Sequence, residues 1–471
     1  CMRNLMDPMA SMWIRYALLL CILVNLLPAR MLANEVSFHA SLEEISQDCM
    51  DYLPNTKQAN KVIVPYDARQ VMDNFLQHYF LPWHNPLAGF TLATLQAKEE
   101  QLIAKYKQEP GWGLNKHPYD QLAYMQKNIN LDAFPNLQQA AIVLRTTNLR
   151  RLPSNAPSFT DWTAPGKGYP FDNLQESLLV ANEPVYVLHQ SKDKAWQFVI
   201  TNSHLVGWVH SLDVAYVSPE FMKAWQTGHY ITPLQDQVLV AGPGINPLAR
   251  IGQLFPLAQE QPHPIHDCVL VATANPNQEA VIKLARINKS VVSAMPLPAT
   301  PNNVARLANA LMGQAYGWGG LCHYRDCSSM VKDLMFAFGI WLPRDSGPQA
   351  QSGHFMHLAN LSNSKKQQLI AKKGIPFFTL LWFPGHIALY IGSNNKKAYI
   401  FHALWGLKTI DQTTQEQGRA VIGKAVIMSL DLGAGHQNIP GTLLDKAQGM
   451  VLLNKRLSAP QAALELSTKT E

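Results

Sequence analysis

Apolar residues recur with helical spacing in the first third of the chain. Val71, Phe75 and Tyr79 are each four positions apart, and a second run of the same kind covers residues 92–106. Side chains at this spacing lie on one face of a helix, which can then be buried. We therefore predict a mainly helical N-terminal region over residues 34–140.

From about residue 141 the pattern changes to short apolar stretches separated by Gly, Pro, Asn and Asp. The segments 184–188 and 196–200 are examples. Such segments are typical of short strands joined by tight turns. We predict two small β-barrels, one over residues 141–220 and one over residues 221–297.

A mixed region follows the second predicted barrel. Val304, Leu307 and Leu311 have helical spacing after Pro298, and they predict a helix that opens a C-terminal α+β domain over residues 298–432. Residues 433–471 are more polar, and we predict a C-terminal tail there. With 471 residues, of which 47% are hydrophobic, the chain is long enough for a multidomain α+β protein with several cores.

The N-terminus has the pattern of an export signal. Arg3 and Arg15 precede an apolar run at residues 16–27, and small residues follow up to Ala33. The run is about a dozen residues long, whereas a membrane-spanning helix needs roughly 20. We predict a signal peptide at residues 1–33 and a periplasmic or secreted protein without a stable membrane span after cleavage. A retained anchor and a lipidated Cys21 stay open as alternatives, the latter disfavoured by the bulky residue before it.

Charge and cysteine content narrow the class of protein. The net charge of +6 is small for this length, which argues against specific nucleic-acid binding and is compatible with an anionic partner such as a bacterial wall. Cys49, Cys268, Cys322 and Cys327 remain after the leader. Four cysteines in this length do not form a disulfide scaffold, although a pair between Cys49 and Cys268 stays open.

One cysteine stands where a nucleophile is expected. Cys327 follows Asp326 and precedes an apolar helical run, so it should begin a buried helix. The free N–H groups and the positive dipole end there favour a thiolate. The candidate base is His386, on an alternating strand, and a hairpin centred on Asn394 would place His402 opposite it. We therefore predict Cys327 as nucleophile, His386 as base and His402 as the residue that orients the base.

Two alternatives compete with this hypothesis. Both histidines fit ordinary strand positions facing a polar groove. A metal site built from Cys322, His323, Cys327 and His386 is disfavoured because the spacing lacks a Cys-x-x-Cys or His-x-x-x-His pair. We expect neither a metal nor another cofactor.

Four segments resemble motifs of the NlpC-type cysteine peptidases. They are Tyr316-Gly-Trp-Gly-Gly, Arg325-Asp-Cys-Ser, Trp341-Leu-Pro-Arg-Asp-Ser and Gly385-His-Ile-Ala-Leu-Tyr-Ile-Gly. The chain is similar in particular to the branch that has a helical N-terminal stabilising domain and two bacterial SH3-like domains. The resemblance implies that both predicted barrels are SH3-like and that the C-terminal domain is papain-like. It also implies hydrolysis of the bond between γ-D-glutamate and a diamino acid in peptidoglycan stem peptides, through a thioester.

The resemblance further implies which residues bind the substrate. Asp326 and Ser328 would hold the amino end of the stem peptide, and Arg344 and Ser346 would line the neighbouring subsite. The first SH3-like domain would block the cleft, so that peptides with a free N-terminal L-Ala fit best, and the protein would be a monomer.

The simpler alternatives are that Asp326 or Ser328 only caps the helix and that Arg344 is a surface charge. A non-catalytic wall-binding adaptor and an acyltransferase or amidase on the same scaffold also stay open.

Overall fold

The computed structural model describes most of the chain. The described residues are 41–63, 67–108, 118–161, 163–242, 247–259 and 263–455. The predicted signal peptide at residues 1–33 lies outside them. Within these ranges, none of the helices combines the length and the apolar character that crossing a membrane would take.

The N-terminal region is helical, as predicted. In chain order, the helices before the first strand are α1 (Thr56–Ala59), which belongs to the segment 41–63 described below, and then α2 (Ala68–Tyr79), α3 (Leu81–His84), α4 (Leu92–Gln108) and α5 (Pro118–Ile129). Asp67 caps α2 by accepting a hydrogen bond from the backbone N–H of Arg69, and the buried face of α2 carries Val71, Phe75 and Tyr79. Phe75 makes an edge contact with Phe336 of the C-terminal domain, with ring centroids 4.8 Å apart. The helices are therefore packed directly onto that domain.

Residues 41–63 do not join this helical region. Cys49 is fully buried in the core of the C-terminal domain, and Leu42 lies in a second cluster of the same domain. The Gln47 side chain donates to the Ile427 carbonyl (3.0 Å) and accepts from the Ile427 N–H (2.9 Å). The apolar residues of this first part of the predicted N-terminal region are therefore buried by the distant C-terminal domain, a contact that the helical spacing could not indicate.

Seven antiparallel strands form the first β domain. They are β1 (Gln139–Val143), β2 (Thr147–Arg150), β3 (Gln175–Leu179), β4 (Pro184–Gln190), β5 (Trp196–Thr201), β6 (Val206–His210) and β7 (Val214–Tyr216). They pair in the order β3-β2-β6-β5-β4-β1-β7. Phe198 and Trp208 are fully buried between this sheet and the N-terminal helices. The first strand of this sheet begins at Gln139.

A short helix, α6 (Pro219–Trp225), leads into a second β unit, defined here as residues 230–294. Its strands are β8 (Tyr230–Pro233), β9 (Val238–Leu239), β10 (Leu248–Ala249), β11 (Phe255–Pro256), β12 (His266–Ala274), β13 (Ala280–Asn288) and β14 (Val292–Ala294). They form three small sheets, β10-β9, β11-β8-β14 and β12-β13. The described strands do not close into one ladder, since β9, β10 and β11 are only two residues long.

The C-terminal domain is a six-stranded sheet with helices packed on it. Its helices are α7 (Pro301–Leu311), α8 (Cys327–Phe336), α9 (Ser346–Ala350), α10 (Asn363–Lys373) and α11 (Leu443–Lys446). Its strands are β15 (His354–His357), β16 (Thr379–Phe383), β17 (His386–Asn394), β18 (Lys397–Ile410), β19 (Gln417–Ser429) and β20 (Gly449–Leu452). Helix α8 packs its apolar side against alternate residues of β17 and β18. This packing brings the first residue of α8 to the sheet.

The predicted C-terminal tail is wrong over residues 433–455. Strand β20 pairs with both β15 and β16 in the interior of the sheet order β15-β20-β16-β17-β18-β19. All four of its residues are buried. A run of apolar residues that is buried on both faces lacks the alternation that marks an exposed-edge strand, which explains why the pattern did not predict it. Residues 456–471 lie outside the described part of the chain.

The two cysteines whose pairing stayed open do not form a disulfide. Cys49 is buried in the C-terminal domain, and Cys268 is on β12 of the second β unit. The C-terminal domain and the second β unit are therefore not linked by a disulfide between these two cysteines, and their contacts are non-covalent.

Candidate active site

Cys327 is the first residue of helix α8, as its sequence context predicts. Asp326 is the N-cap, and its carboxylate accepts from the Ser329 N–H (2.9 Å) while Ser329 Oγ accepts from the Asp326 N–H (3.0 Å). This reciprocal pair is a capping box, which fixes the start of a helix. The Cys327 thiol is 8% exposed and within hydrogen-bonding reach of the Ile387 N–H on β17. The nucleophile candidate thus lies against the strand that begins with His386.

The expected thiolate is not favoured in this site. Burial raises the pKa of the Cys327 thiol to about 12, and the neighbouring Asp326 carboxylate adds to the shift. The N–H groups of Ile387 and Ser328 and the charge of Arg344 act in the opposite direction without reversing it. The helix-start argument fails here because loss of hydration outweighs the dipole. Cys327 is therefore a neutral thiol at neutral pH.

His386 and His402 are hydrogen-bonded to each other. His386 Nε2 and His402 Nδ1 are 2.8 Å apart. The hairpin register differs from the predicted one: Leu389 pairs with Phe401, a bulge follows Tyr390, and the turn is centred between Asn395 and Lys396. His402 is therefore opposite Ala388, and His386 is its diagonal neighbour on the same face, still within side-chain reach. The juxtaposition that the sequence predicts is present although the register is wrong by two positions.

The hydrogen-bonding partners of the two rings assign their tautomers. His402 Nε2 is 3.2 Å from Met428 Sδ, and a thioether can only accept a hydrogen bond. His402 therefore carries its proton on Nε2 and accepts on Nδ1, so His386 donates from Nε2. This leaves His386 Nδ1 without a proton, which is the form that a general base requires.

Burial keeps both imidazoles neutral. It lowers the pKa of His386 to about 4, and the Asp326 carboxylate offsets only part of that shift. The pKa of His402 is lowered further by burial and by the neighbouring His386. The Cys327 thiol and the two imidazoles are therefore all uncharged at neutral pH.

Three of the four candidate binding residues form one buried network. Arg344 donates to both carboxylate oxygens of Asp326 (2.6 and 3.0 Å) and to Ser328 Oγ (2.8 Å), and Ser328 Oγ donates to Asp326 (3.2 Å). Arg344 is only 5% exposed, so the surface-charge alternative is wrong. Its Nε also donates to Ser177 Oγ on β3 of the first β domain (2.9 Å). Ser346 is partly buried at the start of α9 and lies outside this network.

The first β domain contacts the loop that precedes Cys327. Gln175 Nε2 donates to the Gly319 carbonyl (2.9 Å), and Trp318 Nε1 donates to the Asp172 carbonyl (3.2 Å). The rings of Phe171 and Trp318 are in edge contact at 5.2 Å. The surroundings of the loop before Cys327 are therefore built from two units of the chain.

Tyr316, Met428 and Ser177 are site residues that the sequence hypothesis did not include. Burial raises the pKa of the Tyr316 hydroxyl well above its usual value, and the nearby Cys327 adds to the shift. Tyr316 lies in a glycine-rich motif that could have indicated it. Met428 and Ser177 are on strands remote in sequence, and no local pattern distinguishes them.

The described residues contain no group of three or more His, Cys, Asp or Glu side chains placed to hold a metal ion. Cys322 and His323, two of the ligands in the metal alternative, have backbone φ angles of 56° and 65° in the loop before the nucleophile.

Three family models match the chain. The N-terminal stabilising domain of NlpC/P60 proteins matches residues 14–134, an SH3 domain of the SH3b1 type matches residues 157–210, and the NlpC/P60 family matches residues 313–418. The C-terminal domain belongs to the NlpC/P60 family. None of these three models extends over the second β unit.

Solved structures were compared with the chain as well. An NlpC/P60 endopeptidase from Photobacterium damselae subsp. piscicida is 27% identical with a TM-score of 0.78, over 87% of this chain and 98% of that one. An NlpC/P60 family protein from Bacillus cereus ATCC 10987 is 18% identical with a TM-score of 0.46, over 66% and 98%. No curated protein matches the chain. The NlpC/P60 domain identifies a cysteine peptidase or hydrolase similar to peptidoglycan hydrolases.

Proposed function

We propose that the protein cuts the bond between γ-D-glutamate and diaminopimelate in peptidoglycan stem peptides. The observation that carries this proposal is that the Cys327 thiol, at the start of α8, is within hydrogen-bonding reach of the Ile387 N–H, next to His386 on β17, and that His386 is hydrogen-bonded to His402 on β18. A buried thiol beside an oriented imidazole is the arrangement that acyl transfer through a thioester requires.

In the proposed reaction one proton passes between Cys327, His386 and the leaving amine. As Cys327 Sγ forms a bond to the γ-carbonyl carbon, the thiol proton moves to His386 Nδ1, and the Cys327 N–H at the helix start holds the oxyanion. The imidazolium then gives its proton to the leaving amine, and the C–N bond breaks. Water then attacks the thioester carbonyl while His386 accepts one of its protons. The C–S bond breaks, the imidazolium returns that proton to the sulfur, and the γ-carboxylic acid leaves and loses its own proton to solvent. His402 keeps the base in the required tautomer throughout.

We assign the amino end of the stem peptide to Asp326 and Ser328, and the neighbouring subsite to Arg344 and Ser346. Asp326 already accepts from Ser329, Ser328, Gly319 and twice from Arg344. A carboxylate has about four lone-pair directions, so a substrate ammonium group would replace one of these donors. The same carboxylate oxygens of Asp326 would therefore cap the helix and bind the substrate.

We further propose that the substrate is a free stem peptide, with an N-terminal L-Ala that carries no glycan. The contacts of Asp172 and Gln175 with the loop before Cys327 support a wall at the amino side of the cleft. The leader pattern at residues 1–33 supports export to the periplasm or the medium. We propose that the chain acts there as a monomer.

Incubation with two peptides tests the proposal. The protein lacking residues 1–33 and its Cys327→Ser variant receive L-Ala-γ-D-Glu-meso-diaminopimelate and the N-acetylated form, and products are identified by mass spectrometry. We expect L-Ala-γ-D-Glu and diaminopimelate from the free-amine peptide with the unsubstituted protein alone. A conjugate with an added amine would support an acyltransferase, and a complete lack of products would support the adaptor. Full cleavage by Cys327→Ser would refute the assigned nucleophile.

A further inference from the structure

Arg325, two residues before Cys327, is held largely by the second β unit. Its side chain is 2% exposed, and all five N–H groups of its guanidinium donate hydrogen bonds. Two of these bonds, to Asp333 (2.6 Å) and Gln314 (2.7 Å), stay within the NlpC/P60 domain. The other three go to the two carboxylate oxygens of Asp236 (2.6 and 3.0 Å) and to the Ile251 carbonyl (2.8 Å).

The carboxylate of Asp236 is held from both units. It accepts from the Ile251 N–H (3.0 Å) and from the Gln314 side chain (2.7 Å) as well as from Arg325. Burial raises the pKa of Asp236, but the bonds and the charge of Arg325 outweigh burial and lower the pKa to about 2. The ion pair between the two units is therefore charged at any physiological pH.

Arg250 of the second β unit fixes the same loop at a second point. Its Nη1 donates to the His323 carbonyl (2.6 Å), and its Nη2 is 3.5 Å from Asp333 Oδ2. His323 and Cys322 both have φ angles in the left-handed region, which non-glycine residues rarely adopt. A turn in this conformation persists only where its surroundings hold it. The Arg250 bond to the His323 carbonyl is such a restraint, placed four residues before the nucleophile.

We propose that Asp236 and Arg250 are positioning residues for Cys327 and that the second β unit serves as a brace for the loop at residues 317–326. The inference rests on the proposed catalytic role of Cys327. The side chain of Asp236 holds Arg325, Arg250 holds His323, and the loop between them determines where the capping residue Asp326 and the thiol lie. A misplacement of about 1 Å at a reacting atom can lower a rate about 100-fold. The proposal thereby gives a function to the second β unit, which none of the three family models covers.

Asp236→Asn tests the brace, because it keeps the shape of the side chain and removes the charge that pairs with Arg325. Asp267→Asn is the matched control: it makes the same change in the same unit, in a solvent-accessible pair with Lys289. For each variant, kcat and KM are measured on the free-amine stem peptide. In parallel, the rate of iodoacetamide alkylation at Cys327 and at the fully buried Cys49 is followed against pH by peptide mapping.

We expect Asp236→Asn to lower kcat by about tenfold to 100-fold with KM changed by less than about twofold. A loosened loop also hydrates the thiol, so alkylation of Cys327 at pH 8 should become faster while Cys49 stays protected. Asp267→Asn should match the unsubstituted protein in all readouts. Arg250→Met should reproduce the Asp236→Asn pattern, and Arg250→Lys, which keeps a donor toward His323, should recover part of kcat.

A folded Asp236→Asn variant with unchanged kcat and an unchanged alkylation profile would overturn the proposal. Faster alkylation of Cys49 together with Cys327 would also overturn it, because that result indicates general loosening. If Asp236→Asn fails to fold, Arg250→Met decides by the same criteria. Alkylation needs no substrate, so the brace is tested even if the peptide is not cleaved and the proposed function itself fails.

Discussion

His386 is the residue on which the pH dependence of the proposed reaction depends. Burial lowers the pKa of its imidazole to about 4. Above that pH His386 is neutral and its Nδ1 accepts the thiol proton. As the pH falls through about 4, the ring gains a proton and the base is lost.

We therefore predict that kcat/KM is nearly constant from neutral pH down to about pH 5 and falls with a midpoint near pH 4. The measurement is initial rates on the free-amine stem peptide at subsaturating concentration. Circular dichroism over the same pH range is the control for acid unfolding. A midpoint near 6.5, the ordinary value for histidine, would contradict the prediction and indicate a hydrated base.

Arg344 is the residue whose loss should cost most stability. It pairs with Asp326 through two bonds, and both side chains are less than a tenth exposed. We predict that Arg344→Met lowers the free energy of unfolding by about 3–5 kcal/mol, because it leaves a buried carboxylate without its counter-ion. Urea denaturation measures the loss.

Lys289→Met is the control for Arg344→Met. Lys289 also pairs with an aspartate, Asp267, but the two side chains are 40% and 25% exposed. Water already screens this pair, so its loss should cost less than about 1 kcal/mol. Equal losses in both variants would contradict the argument that burial makes the pair of Arg344 and Asp326 important for stability.

Single residues also show where sequence reasoning succeeds. Cys327 and Asp326 were predictable because a cap, a nucleophile and an apolar helix follow one another within a few positions. The ionisation of Cys327 was not, because it depends on burial by strands far along the chain. Met428, which fixes the His402 tautomer through one contact, has no local pattern at all.

At the scale of elements, the hairpin of β17 and β18 shows how a register is fixed by details that a polar–apolar pattern does not contain. Asn395 and Lys396 both have positive φ angles, 49° and 65°, as in the two-residue turns that suit the twist of a hairpin. This turn and the bulge after Tyr390 together set the diagonal placement of His386 and His402. A pattern of alternating residues predicts the shared face and leaves the register open.

The turn itself offers a stability test. Lysine is strained at a positive φ, so we predict that Lys396→Gly raises the free energy of unfolding by about 0.5 kcal/mol after the entropic cost of glycine. Lys397→Gly, at a strand position paired with Asn394, should lower it. The turn is about 30 Å along the strand from His386, so kcat should not change in either variant. Destabilisation by Lys396→Gly, measured by thermal unfolding, would contradict the strain argument.

At the scale of the whole molecule, the site is built from units that are far apart in the sequence. Arg344 and Ser177 are 167 positions apart, and Arg325 and Asp236 are 89 positions apart. Composition and periodicity indicated the helical region, the first β domain and the C-terminal domain, because each has its own repeating pattern. They gave no information on which loop of one unit contacts which loop of another, since those contacts are made by single polar side chains.

A substitution of Phe171 tests the proposal that the first β domain closes the amino side of the cleft. It belongs to the first β domain and makes edge contacts with Trp318 and Trp405 of the NlpC/P60 domain. We predict that Phe171→Ala opens this side and raises kcat/KM for the N-acetylated stem peptide, relative to the free-amine peptide, by at least about tenfold, equivalent to ~1.4 kcal/mol of discrimination.

Both peptides are supplied together for this test, and mass spectrometry follows their cleavage, so that the ratio is independent of enzyme concentration. The control is Phe90→Ala, which removes an aromatic contact with His204 of the same β domain away from the cleft and should leave the ratio unchanged. If the Phe171→Ala ratio is also unchanged while the variant stays folded, Phe171 does not form the wall. Selection for a free amino end must then come from the groups around Asp326 and Ser328, where a substrate ammonium competes with Arg344 for the same carboxylate.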